Sequence, residues 1–273
     1  MSRFPQNDFR GTVHRDVPYL EAERTERLDA YLPDSRVWPD PYPVVIVIHG
    51  GGWVMGDKAD RRQVEIAEFL TGHGYAALAI NYRLNEFSDG ILKGRVTRSC
   101  WPDCLNDCRE SLRFVSERAG IWNLDATRIA LFGLSAGAHL ALLTGLTTGH
   151  AELDRLCGRF PVACVISFYG VYDLESVGEK WGFGESHADP GAIRRLASPA
   201  NHLSPGAPPT FVVHSRADAT VPVAQSMALV EKLRAHGVPH RTRIVESAPH
   251  GFGIRSVDGD LCPEILEFLN DHT

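Results

Sequence analysis

Apolar runs and helical stripes alternate along this chain. Pro43-Val44-Val45-Ile46-Val47-Ile48 is an unbroken β-branched run, the pattern of a strand buried on both faces. Residues 63–71 space their apolar positions like an amphipathic helix, which Gly72 and Gly74 should end. A second strand is predicted over 75–80. A helix follows over 103–119, with Leu105, Cys108, Leu112 and Val115 as its apolar stripe. Further strands are predicted over 128–132, 162–168, 209–214 and 241–246. Helices are predicted over 136–147, 222–236 and 263–271, the last two with Pro at the first turn. Residues 25–31 predict an antiparallel strand at one edge. Such alternation belongs to the α/β class, a mostly parallel central sheet with helices on both faces.

No linker divides the chain and no internal repeat is visible, so one domain is expected over 1–273. Residues 1–40 then form an N-terminal arm and edge strand. Residues 174–205, rich in Gly, Pro and polar groups, are expected to leave the sheet as a cap-like excursion overhanging the site. With 44% hydrophobic and 23% charged residues, the 273-residue chain has enough apolar side chains for a large core.

Charge and cysteine usage narrow the function classes. A net charge of -6 gives no electrostatic reason to bind nucleic acid or an anionic membrane. The start, Met-Ser-Arg-Phe-Pro-Gln-Asn-Asp, lacks the apolar core of a signal peptide, and no apolar run approaches the ~20 residues that span a bilayer. A cytoplasmic protein is expected. Six cysteines (Cys100, Cys104, Cys108, Cys157, Cys164 and Cys262) include no C-x-x-C pair and read as small buried side chains in a reduced compartment. Cys100, Cys104 and Cys108 have helical spacing, and a metal site there is the weaker reading.

The chemistry concentrates in four segments. Gly133-Leu134-Ser135-Ala136-Gly137 lies between a predicted strand and a predicted helix. A G-x-S-x-G turn in that context projects the serine hydroxyl clear of the sheet, so Ser135 is the candidate nucleophile. Its bland alternative is a helix N-cap. His49-Gly50-Gly51-Gly52-Trp53 follows the first strand. Glycines let backbone N–H groups face a cavity, so Gly51 and Gly52, with Ala136, are the candidate oxyanion-hole donors. His49 reads as a brace for that loop.

A serine needs a base, and the base needs an acid to fix its tautomer. Of 12 histidines, His250 in Ser247-Ala248-Pro249-His250-Gly251-Phe252 follows the last strand and is the expected base. His214 is the rival but reads as core or as a supporting residue, and His139 as structural. Asp218, after the strand at 209–214, is the expected acid, and Asp173, Asp258 and Asp260 are the alternatives. Trp53, Trp181, Phe183 and Phe252 are candidate walls for an apolar acyl or aryl group, or else plain core.

Together these residues resemble the α/β-hydrolase superfamily. They are most similar to small carboxylesterases with an H-G-G-G loop, the hormone-sensitive-lipase-like and acetylxylan/feruloyl-esterase-like groups, with kynurenine-formamidase-like relatives. The matching segments are His49 to Trp53, Asn81-Tyr82-Arg83-Leu84, Gly133 to Ala141, His214 to Pro222 and His250 to Phe252. Many relatives carry a second glycine where this chain has Ala138, a change expected to matter little. The short section before Val44 implies a small or absent cap. The resemblance implies hydrolysis of a small or short-acyl ester without metal or organic cofactor. Two alternatives stay open, an arylformamidase using the same triad and a non-catalytic binding protein on the same fold. Ser135, Asp218 and His250 all being present disfavours the second. The sequence does not fix the oligomeric state.

Overall fold

In a computed structural model the chain is described over residues 11–90, 94–154, 160–177 and 182–273. Eight strands form one sheet. They are β1 (Thr12–Val17), β2 (Leu28–Leu32), β3 (Tyr42–Ile48), β4 (Ala76–Ile80), β5 (Leu124–Leu134), β6 (Cys164–Phe168), β7 (Thr210–Ser215) and β8 (His240–Val245). Their order across the sheet is β1-β2-β4-β3-β5-β6-β7-β8. β1 pairs antiparallel with β2 and β2 antiparallel with β4, and every other neighbour pair is parallel. The antiparallel strand expected near 25–31 is therefore one place in from the edge. The outermost strand is β1, whose half-exposed Thr12-Val13-His14-Arg15-Asp16-Val17 gives no apolar alternation to read. Charged side chains on such a strand discourage pairing with another chain.

Seven α-helices lie among the described residues: α1 (Arg61–Thr71), α2 (Asp103–Trp122), α3 (Ala136–Leu146), α4 (Leu174–Val177), α5 (Pro190–Leu196), α6 (Ala224–Ala235) and α7 (Cys262–His272), of which α1, α2, α3, α6 and α7 pack on the sheet. Alternate strand residues serve opposite faces, because successive side chains point to opposite sides. Val44, Ile46 and Ile48 of β3 join the core beneath α2, α3 and α6. Val45 and Val47 join the core beneath α1 and α7. α3 is apolar nearly all round, and every residue from Ala136 to Thr144 is buried. Such a helix has no solvent face.

Two boundaries moved for local reasons. β5 starts at Leu124 rather than Arg128, because a register irregularity against β3 absorbs the turn-like Asp125-Ala126-Thr127. There the Asp125 carboxylate accepts hydrogen bonds from Thr127 and Arg128. α2 runs past Gly120 and ends where Asn123 adopts the left-handed conformation.

Candidate active site

The parallel strands all end on one side of the sheet, and the loops that follow them surround a cavity of about 740 Å3. Ligands on open α/β sheets bind at these carboxyl ends. The cavity is lined by the loop after β3, Leu134 to Ala136, Tyr169 and Val171 after β6, Thr220 after β7, and His250 and Gly251 after β8.

Ser135 joins β5 to α3 with φ 53° and ψ -115°, a conformation that a residue with a side chain rarely adopts. The constraint that holds it is packing. A Cβ on Gly137 would overlap the Ile48 carbonyl, and one on Gly133 would overlap the Gly137 carbonyl. The strand-to-helix turn can therefore close only with glycine on both sides of the serine.

His250 and Asp218 converge on this turn. His250 Nε2 lies 3.0 Å from Ser135 Oγ, and His250 Nδ1 lies 2.6 Å from Asp218 Oδ2. Nδ1 faces a carboxylate and so carries the proton, which leaves Nε2 to accept from the hydroxyl. Asp218 Oδ1 accepts from the backbone N–H groups of Thr220 and Val221 at 2.8 and 2.9 Å. Burial works to raise the Asp218 pKa, but hydrogen bonds from His214, His250 and the Val221 N–H outweigh it. The carboxyl is held well below the usual carboxylate range.

The rival acids are engaged elsewhere. Asp173 accepts from the N–H groups of Glu175 and Ser176, Asp258 from those of Ser247 and Ala248, and Asp260 from that of Cys262. These are turn-closing bonds. His214 is fully buried beside Asp218 and does not approach Ser135 as the base does.

Gly51, Gly52 and Trp53 all have positive φ, at 114°, 61° and 61°. A Cβ on Gly51 would collide with the Met55 carbonyl. The loop is braced from outside the cavity. His49 Nδ1–H donates to the Gly50 carbonyl at 2.6 Å, and burial lowers the His49 pKa, so the ring stays neutral. Tyr82 stacks on that ring at 4.4 Å and donates to the His49 carbonyl. Asn81 receives the Lys58 N–H at 2.6 Å and donates to Asp57 at 2.7 Å. The Asn81-Tyr82 pair thus acts as the loop's clamp. The Ala136 N–H belongs to the first turn of α3, where no helical carbonyl can take it. A carbonyl oxygen gaining negative charge above Ser135 could be held between this N–H and the glycine loop.

The four expected wall residues separate. Trp53 borders the cavity, but its ring is buried, and Nε1–H donates to His139 Nδ1 at 3.2 Å. His139 in turn donates through Nε2–H to the Ala197 carbonyl at 2.8 Å. Burial lowers the His139 pKa to about 4, so this bridge is neutral. Phe183 does not line the cavity. It packs under it against Trp53, Trp101 and His139. Phe252 is likewise core, set against Phe168 and Tyr169. Both point inward because the apolar volume beneath the loops is where an aromatic ring loses most water contact. Trp181 lies outside the described residues.

The described residues of 174–205 reach α3 through the Ala197 carbonyl, which meets His139, and none of them borders the cavity. Ala138 is fully buried, with its Cβ directed at Gly170. The most informative residue that sequence reasoning missed is Tyr169. It has φ 41°, borders the cavity, sets its ring 4.9 Å from His250 and donates to the Phe252 carbonyl at 2.7 Å. Nothing in its local sequence separates it from any other aromatic after a strand.

Among the described residues no group of His, Cys, Asp and Glu is placed to hold a metal. Cys100, Cys104 and Cys108 are free and buried, and burial raises the Cys104 and Cys108 thiols well above the ordinary range. No helix among the described residues is long and apolar enough to cross a membrane.

Comparison with known proteins places this arrangement. The "Probable carboxylic ester hydrolase LipM" of Mycobacterium tuberculosis (strain ATCC 25618 / H37Rv) is 30% identical over 244 residues, 80% of this chain and 51% of that protein. "Esterase LipC" of the same organism is 30% identical over 256 residues, 84% of this chain and 58% of that protein. The chain thus spans about half the length of the curated relatives it matches. Among solved structures, an acetyl ester-xyloside bifunctional hydrolase from Caldicellulosiruptor lactoaceticus has a TM-score of 0.69 at 28% identity, covering 91% of this chain and 85% of that one. A truncated carbohydrate esterase from gut microbiota has a TM-score of 0.77 at 22% identity, with 98% of both chains covered, a likeness of fold. Residues 28–233 match the family model BD-FAE, most of the sheet and the whole serine elbow included, and this chain with its α/β-hydrolase fold belongs to the BD-FAE family.

Proposed function

We propose that this chain is a serine carboxylesterase acting on small or short-acyl esters through Ser135, His250 and Asp218. The observation that carries this reading is the continuous line from Ser135 Oγ to His250 at 3.0 Å and on to Asp218 at 2.6 Å, open to a cavity. His250 takes the hydroxyl proton as Ser135 attacks the ester carbonyl. Gly51, Gly52 and Ala136 N–H groups hold the oxyanion. His250 returns the proton to the leaving alcohol, and water then attacks the acyl-enzyme with His250 again as base. Asp218, kept ionised, orients the imidazole and stabilises its charged form.

The names of the relatives support ester hydrolysis, and the cavity supports a short acyl group. Val54, Met55 and Val171 give it apolar wall, and no helix from the described part of 174–205 roofs it. A cytoplasmic setting is part of the same proposal, supported by five free buried cysteines among the described residues. The test is hydrolysis of p-nitrophenyl acetate, butyrate and decanoate, with N-formylkynurenine alongside. Acetate or butyrate should be turned over fastest. A decanoate optimum would remove the short-acyl reading, and a formamide preference the ester one. Ser135→Ala should lower turnover by at least about 10⁴-fold while leaving the fold intact.

A further inference from the structure

Asp218 is the meeting point of two hydrogen-bonded arms, and the proposed mechanism uses one of them. The first arm is Ser135 and His250. The second comes from the interior. Ser226 Oγ lies 2.7 Å from His214 Nδ1, and close to Ser226 the Tyr172 hydroxyl lies 2.7 Å from Ser167 Oγ. His214 Nε2 then lies 3.2 Å from Asp218 Oδ2 and 3.0 Å from the Val221 carbonyl. Ser167, Tyr172, Ser226 and His214 are all buried, each at most 1% exposed.

The proton positions follow from the partners. His214 Nε2 faces a carbonyl and a carboxylate, both acceptors only, so it carries a proton. Nδ1 is then the acceptor, and the Ser226 hydroxyl donates to it. Tyr172, close to Ser226, accepts from the Gly170 N–H at 3.2 Å. From Ser226 through His214, and from Ser135 through His250, the protons point toward Asp218. The N–H groups of Thr220 and Val221 occupy Oδ1 and His250 occupies Oδ2, and His214 Nε2, shared with the Val221 carbonyl, adds a fourth contact to Oδ2 at 3.2 Å.

We propose that His214 is a positioning residue for the esterase reaction: its Nε2–H, locked in that tautomer by Ser226, fixes the rotation of the Asp218 carboxylate and tempers its pull on His250. The inference rests on the esterase reading above. A carboxylate that gives electron density to a second donor exerts a smaller negative potential on the first. Removing the His214 donor therefore strengthens the hold of Asp218 on the His250 imidazolium and raises the His250 pKa. The other titratable or charged groups facing this pair are Tyr169, whose ring packs on His250, and Arg62, which approaches Gly251 from α1.

The experiment compares His214→Phe, His214→Gln and Ser226→Ala in the full chain. The His250 pKa is read by NMR of ring-labelled histidine, and kcat and KM for p-nitrophenyl acetate are read across pH. His214→Phe should raise the His250 pKa by about half a unit or more and lower kcat by about tenfold, with KM little changed. His214→Gln, which keeps a donor, should restore most of both. Ser226→Ala should give a smaller shift in the same direction. It also covers the case in which His214→Phe does not fold. An unmoved or lowered His250 pKa in folded His214→Phe, or in Ser226→Ala if the former fails to fold, would overturn the proposal. Because the NMR readout needs no substrate, that failure is distinct from failure of the esterase reading, which Ser135→Ala decides.

Discussion

Asp218 and Asp107 are both buried carboxylates beside the loops of the site, and they sit at opposite ends of the pKa scale. Asp218 accepts two backbone N–H bonds and two histidine contacts, and its pKa is driven down. Asp107, on α2, concentrates its partners on one oxygen. Oδ2 takes the Arg24 guanidinium at 2.6 Å and the Arg83 N–H at 2.8 Å, while Oδ1 is buried without a partner. Burial therefore dominates and pushes Asp107 up to about 6, even with an arginine in contact. A salt bridge does not guarantee a stable charge, whereas a full complement of donors does. The loop Asp218-Ala219-Thr220-Val221 supplies those donors from its own backbone, and the α2 environment of Asp107 cannot.

The comparison can be broken most strongly at Asp218. Asp218→Asn puts an amide where a pure acceptor is required, so His250 loses its tautomer. Activity on p-nitrophenyl acetate should fall by about 10⁴-fold, about 5 kcal/mol of barrier. A drop below about tenfold would mean that Asp218 is not the acid. At Asp107 the effect should appear in stability. Arg24→Met leaves the carboxylate without its counter-ion and should cost about 2 kcal/mol in urea titrations above pH 7, below the range for fully buried pairs because Arg24 is part-exposed. The cost should shrink at about pH 5, where the carboxyl takes a proton. An equal loss at both pH values would refute the raised pKa.

Asp107→Asn should give the smallest change. The folded-state pKa lies above the unfolded one, so the folded protein binds more protons between about pH 4 and pH 6. Stability contributed by this group is therefore lost as pH rises through that window. The variant should show a flatter Tm profile there, by about 2–4 °C, with turnover changed less than about threefold. Asp218 adds slope only at the acid end of that window, and of the opposite sign. Its depressed pKa means that its contribution is lost only as pH falls below the unfolded carboxylate value.

Much of the fold was legible because the central strands are mostly apolar runs, as Val44 to Ile48 shows, and helices such as α1 and α2 carry an apolar stripe. That the serine elbow, the glycine loop, Asp218 and His250 meet at one cavity was also legible, since each sits just past a strand. β1 was hidden because an exposed edge strand carries charges in place of apolar alternation. Phe183 and Phe252 stayed open between cavity wall and plain core, because an aromatic near a motif looks the same whether it faces substrate or core. Tyr169 left no local signal, since its partners His250 and Phe252 lie on the loop after β8, whereas His214 already read as core or support.

What the sequence by itself determined is the set of reactive groups and the loops that carry them. Gly133 and Gly137 permit the turn, Gly51 and Gly52 permit the inward N–H groups, and backbone permission is a local property. Only the tertiary structure decided how those groups are tuned. The ionisation of Asp218 depends on donors from the loop after β7 and from the one after β8, and His214, itself held by Ser226, meets it from the interior. Desolvation and hydrogen bonding are sums over neighbours in space, and a sequence lists neighbours only along the chain.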